Sequence, residues 1–191
     1  MKPWLLNILA CPIDKHHPLE ARFFSWETSA EELRKIASGA GEPSPHFRKS
    51  YRHLAKQLKE GTISPSAMRA IEDATGSEYS ARLLADAVEA VDRLEEILDR
   101  PEEQLLRDFP QDIDRLYRFL NLIEVDAGLL VCPECDRWYP IGSAVETIPE
   151  LLPDDLRERD RDLAWLECWQ EQVPSSVLER GKPFNLIGWS R

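Results

Sequence analysis

Two Cys-Pro frames stand far apart in this chain, Cys11-Pro12-Ile13-Asp14 and Cys132-Pro133-Glu134-Cys135, each directly after an apolar run. Two thiolates in a C-x-x-C turn can grip one side of a tetrahedral zinc ion. A lone C-x-x-C is a modest signal, and the second frame of the same form gives the pair its weight. The frames differ in one position: Asp14 stands where a second cysteine would be expected. Asp14, His16 or His17 can supply the missing ligand, since carboxylate and imidazole both serve zinc. A packed knuckle of Cys11, Cys132 and Cys135 without metal is the plainer reading. A thioredoxin-like redox role for Cys132 and Cys135 fits less well, because such motifs open a helix and this one lies within a hairpin. Cys168, between Trp165 and Trp169 on a helical stretch, is expected to be a buried structural thiol.

The periodicity between the frames changes twice. Residues 18–25 (PLEARFFS) alternate Leu19, Ala21 and Phe23 with polar neighbours, which suits a half-buried strand. A capping box then runs from Ser29 to Glu32. Helices are expected over 47–60, from Ser64-Pro65, over 77–100, from Pro101 and over 112–120. The longest carries Leu84, Ala87, Val88, Val91, Leu94 and Leu98 as an apolar stripe. Strand character returns at Ile123-Glu124-Val125, with Asp126-Ala127-Gly128 as a turn and Leu129–Val131 leading into Cys132. The expected fold is α+β. A small zinc-ribbon-like antiparallel β-module is made from residues 1–26 and 121–157. An all-helical insertion, 27–120, interrupts it, and a C-terminal helical tail, 158–191, follows, because neither strand region alone makes a stable sheet.

Specific segments resemble a known family. Residues 1–12 (MKPWLLNILACP), Pro18-Leu19-Glu20, residues 128–141 (GLLVCPECDRWYPI) and residues 148–153 (IPELLP) resemble the zinc-ribbon subunits that activate methyltransferases of the translation machinery. The resemblance covers about residues 1–25 and 121–157, and that family also places a helical insertion between its two frames. It implies a non-catalytic partner of S-adenosylmethionine-dependent methyltransferases acting on tRNA, rRNA or a release factor. Such subunits form a heterodimer with the enzyme, cover its apolar surface and extend its sheet. Zinc is the implied cofactor, held by Cys11, Cys132 and Cys135 with Asp14 as the departure from the pattern.

The remaining features set limits. A formal net charge of −11 argues against a protein that coats nucleic acid. One basic cluster, Arg48, Lys49, Arg52, His53, Lys56 and Lys59, can touch RNA held by a partner, so RNA contact is expected to be indirect. The alternative is a free-standing zinc-ribbon module that binds RNA through helix 47–60. No glycine-rich turn follows a strand, so this chain is not expected to bind S-adenosylmethionine alone. The run Ala144–Pro149 is β-prone with a proline suited to an edge strand, which makes Ile141, Val145, Ile148, Pro149 and Leu151 partner-binding candidates. No apolar stretch is long enough to span a membrane. The opening run is short and broken by Asn7, so it reads as an amphipathic helix rather than a signal, with Trp4, Leu5, Ile8 and Leu9 on one face. A cytoplasmic location is the expectation.

Overall fold

Strand β1 (Glu20–Trp26) is the axis of the fold. The computed structural model describes residues 1–187 and Trp189. On one side β1 pairs antiparallel with β3 (Val125–Val131), which pairs antiparallel with β4 (Trp138–Ile141). On the other side it pairs in parallel with a short strand, β2 (Ile71–Asp73), giving the order β2-β1-β3-β4. The segment expected to be all-helical therefore lends the sheet a strand. Three residues of weak strand character between two helices carry little local signal, and pairing with β1 makes them a strand.

The turn expected at Asp126–Gly128 is absent, for these residues lie inside β3. Gly128 is there for a close approach: a Cβ on it would sit 2.8 Å from the carbonyl oxygen of Arg22 on β1. The reversal of the hairpin falls instead between β3 and β4, at the second Cys-Pro frame.

Beneath one face of the sheet lie α1 (Ala30–Ser38), α2 (Arg48–Lys59), α3 (Pro65–Arg69), α4 (Glu78–Glu95), α5 (Glu102–Asp108) and α6 (Pro110–Leu122). Three of their starts are capped by a local side chain. Ser29 and Glu32 close the capping box, and the Ser64 and Ser77 side chains accept from the amides of Ala67 and Ser80. Helix α4 buries Ala90, and its Leu83, Ala87, Val91 and Leu94 lie in one core with Ile113, Leu116, Phe119 and Leu120 of α6. Each leucine, isoleucine, valine or phenylalanine side chain among them contributes about 1.5–3 kcal/mol when fully buried. Leu84 and Val88, expected within the buried stripe, are only half-buried. The apolar arc of α4 is wider than its neighbours cover.

The opening segment is a 3-10 turn, Pro3–Asn7, rather than an amphipathic α-helix. Three residues per turn bury Pro3 and Leu6 together and leave Ile8 exposed. At the other end, a 3-10 turn (Asp154–Leu156), α7 (Arg159–Cys168) and α8 (Ser175–Arg180) cross the opposite face of the sheet. There Phe24, Leu129 and Trp138 form a second core with Leu163, Trp165, Leu166, Val173 and Val177. Strand β1 is thus buried on both faces, by Ala21 and Phe23 on one and Phe24 on the other. Cys168, expected to be buried, is exposed, because α7 turns Trp165 and Leu166 inward instead.

Candidate metal centre

Each Cys-Pro frame folds into the same knuckle. In the first, the Cys11 amide donates to the His16 carbonyl (3.0 Å) and the Lys15 amide donates back to the Cys11 carbonyl (3.0 Å). In the second, the Cys132 amide donates to the Arg137 carbonyl (2.8 Å) and the Asp136 amide to the Cys132 carbonyl (3.0 Å). Both knuckles need one left-handed residue at the same place, Lys15 with φ 64° and Asp136 with φ 58°. Asp14 is therefore the structural counterpart of Cys135.

The pairing of β1 with β3 brings the two knuckles together. One donor atom from each of Cys11, Asp14, Cys132 and Cys135 lies within 4.8 Å of all the others. The Cys11 and Cys135 sulfurs are 3.8 Å apart. A tetrahedral zinc ion with bonds of about 2.3 Å to sulfur requires donor separations of about 3.8 Å. Three thiolates with one carboxylate make a donor set that suits zinc better than magnesium or calcium, and the residues present fit the ion.

The chemistry of the donors agrees with the geometry. Burial pushes the Cys132 thiol up to about 12 and also raises that of Cys135. The Asp14 carboxylate is held well below the usual carboxylate range, first by the backbone amide of His16 and then by the Cys135 thiol. It accepts a thiol contact from Cys132 at 3.3 Å. Asp14 is thus an ionised acid beside the protonated thiols of Cys132 and Cys135. A bound zinc would replace those protons. The hydroxyl of Tyr139, 3.1 Å from the Cys11 sulfur, orients that donor from beneath.

His16 and His17 point elsewhere. The His16 ring lies 3.9 Å from the Glu134 carboxylate, and the His17 ring contacts the Leu9 carbonyl at 3.0 Å. In the sequence Tyr139 stands out only as part of the 128–141 segment, with no site role, and the structure places its hydroxyl against the Cys11 sulfur. Arg137, bound to Asp154 at 2.8 Å, ties the second knuckle to the tail.

A family model described as Trm112p-like protein matches residues 2–142, which span both knuckles. The chain belongs to the Trm112p-like family. Trm112p-like proteins are activators of methyltransferases, subunits that assist an enzyme rather than catalyse. No curated protein matches the chain. The match ends one residue past β4, so the tail that covers the second face lies beyond it.

The remaining candidates scatter. Ile141 is wholly buried in the helical-side core. Val145 and Ile148 are 55% and 50% exposed, and Pro149 and Leu151 are half-buried. Residues 144–149 make no edge strand. They fold back as bends and a turn, with Thr147 at φ 62°, and only Pro149 bridges to Ile141. Arg48, Lys49, Arg52 and Lys56 all lie exposed on α2, opposite buried Tyr51, Leu54, Ala55 and Leu58. The structure puts that helix in the insertion and the metal corner at the strand ends. Among the described residues, no helix is long and apolar enough to cross a membrane.

Proposed function

We propose that this chain is the non-catalytic, zinc-stabilised subunit of a heterodimer with an S-adenosylmethionine-dependent methyltransferase that modifies tRNA, rRNA or a release factor in the cytoplasm. The observation that carries this reading is the closure of both knuckles into one four-donor corner within a Trm112p-like match. Zinc held there would lock the ends of β1, β3 and β4 into a rigid frame. At the other end of β4 the 142–149 turn presents Val145 and Ile148 to solvent. Exposed aliphatic side chains next to a rigid scaffold suit a partner's apolar surface. Substrate RNA held by the enzyme would pass the basic face of α2, where Arg48, Lys49, Arg52 and Lys56 supply the charge.

The test is affinity capture of the chain from its native cells, followed by methyl transfer to tRNA, rRNA and release factor with and without it. The expected result is a salt-resistant complex with a methyltransferase whose activity falls when this chain is withheld. Salt-sensitive RNA binding by the chain alone, with no methyltransferase retained, would overturn the reading in favour of a free-standing RNA-binding module.

A further inference from the structure

Helix α2 carries the basic cluster of the chain, and helical spacing divides that cluster between two grooves. Arg48 and Arg52 line a groove of about 540 Å³ against α5, which Glu103 and Arg107 also line. Charge there is already engaged. Arg107 pairs with Asp108 at 2.8 Å, and Arg52 lies 3.9 Å from the Glu102 carboxylate.

Lys49 and His53 line a second groove, of about 300 Å³, between α2 and α6. Ser50 and Gln57 of α2 and Tyr117 and Asn121 of α6 complete its polar wall over buried Leu54. No carboxylate lines it, although the chain carries a formal net charge of −11. Its polar groups are also uncommitted. Among the described residues, the side chains of Lys49, Ser50, His53 and Gln57 make no hydrogen bond or ion pair, and neither does the Tyr117 hydroxyl. Asn121 donates one amide proton to the Tyr117 carbonyl at 3.4 Å, and its amide oxygen is unbonded. The Tyr117 ring is held in place, its centroid 5.0 Å from that of Phe47 and 5.3 Å from that of Tyr51. Tyr51 is itself fixed by donating to the buried Asp114 carboxylate at 2.6 Å.

A lysine, an anchored aromatic ring and two free carboxamides are the groups that recognise a nucleotide. The ammonium answers a phosphate, the ring offers a surface for stacking, and carboxamides both donate to and accept from a base edge. The volume is at the lower end for small-molecule sites, so it admits one nucleotide rather than a duplex. An acidic peptide calls for several cations, and this groove holds one lysine. We infer that the α2–α6 groove is a subsite for one unpaired nucleotide of single-stranded RNA. Exposed Lys49 and His53 meet the phosphate at the rim, half-buried Gln57 and Asn121 meet the base edge, and the Tyr117 ring supports the base. This deepens the RNA branch of the proposed function and rests on it for the source of the RNA, while the groove itself is testable on this chain alone.

The test is titration of the isotope-labelled full chain with single-stranded hexa-adenylate RNA, read by backbone amide shifts and by the Gln57 and Asn121 side-chain amides. Shifts should centre on residues 49–57 and 117–121, and binding should weaken as salt is raised. Lys49→Gln should lower the slope of log affinity against log salt by about 0.7. Gln57→Glu, which sets a carboxylate in a groove suited to an anion, should weaken binding about ten-fold. Tyr117→Leu keeps the apolar bulk and should weaken it about ten-fold through lost stacking. Shifts that centre elsewhere, or affinity unchanged in both Lys49→Gln and Gln57→Glu, would overturn the inference. So would equal affinity for inorganic phosphate, which has no base. Equal affinity for a glutamate-rich peptide would also overturn it and assign the groove to an acidic protein. A methyltransferase retained in affinity capture, with no RNA shifts in this groove, would sink the subsite and leave the partner reading standing. RNA shifts here with no methyltransferase retained would do the reverse.

Discussion

The two knuckles share one backbone and differ in what surrounds them. Around residues 11–16 the loop lies at the surface, with Asp14 and Lys15 exposed. Around residues 132–137 the loop is braced. Arg137 holds Asp154, the Lys182 amide donates to the Asp136 carbonyl at 2.9 Å, and Trp138 lies wholly buried behind it. The difference explains where an acid is tolerated. A carboxylate at the exposed knuckle keeps part of its hydration and accepts the His16 amide at 2.9 Å. The same carboxylate at the position of Cys135 would lie half-buried against the helical-side core, where desolvating an ion is costly.

The largest expected effect concerns the brace. Arg157 and Asp162 form a fully buried ion pair at 2.6 Å, and the Arg157 guanidinium stacks on the Trp138 ring. Arg157→Met should lower unfolding free energy by about 3–5 kcal/mol, since it strands a buried carboxylate. Arg157→Met with Asp162→Leu should recover most of that loss in a denaturant titration. If the single variant costs nothing, the second knuckle is not braced through the tail.

Next in size is the metal. Cys132→Ser should abolish zinc retention, and a chelator should lower the melting temperature of the parent chain but not of this variant. A parent chain that carries no zinc and ignores the chelator would show that packing alone holds the corner. Asp14 gives a graded test of the comparison between knuckles. Asp14→Ala should weaken zinc about a hundred-fold and Asp14→Cys should tighten it, as read by competition with a coloured chelator. Equal affinities for parent and Asp14→Ala would remove Asp14 from the donor set.

The smallest effect is on pH dependence. The Arg137 guanidinium beside Asp154 holds its carboxyl below the ordinary value. The stability this lends is therefore complete above about pH 4 and is lost as the pH falls through the folded-state value. Asp154→Asn should flatten the acid limb of the stability curve and leave the neutral region nearly unchanged. An unchanged acid limb would show that the contact is screened.

Much of this was legible because it is local. The caps at Ser29, Ser64 and Ser77, the strand at residues 20–26 and the Cys-Pro turns are each written within a few residues. Other features were misread for an equally physical reason. Asp126-Ala127-Gly128 has the composition of a turn, yet Gly128 serves strand-to-strand approach. The run at 144–149 has strand propensity, but Gly142 and Thr147 turn it back on β4.

The sequence by itself determined that two equivalent knuckles exist and that helices separate them. It also determined that the first knuckle carries an acid in place of a thiol. Only the tertiary structure brings Asp14, rather than His16 or His17, into the cluster with the three thiols, since that depends on how β1 and β3 register across 120 intervening residues, Cys11 to Cys132. It alone decided that β2 exists and that the tail covers the second face of the sheet. Pairing of this kind is set by which surfaces find each other after collapse, and no short window of sequence contains both partners.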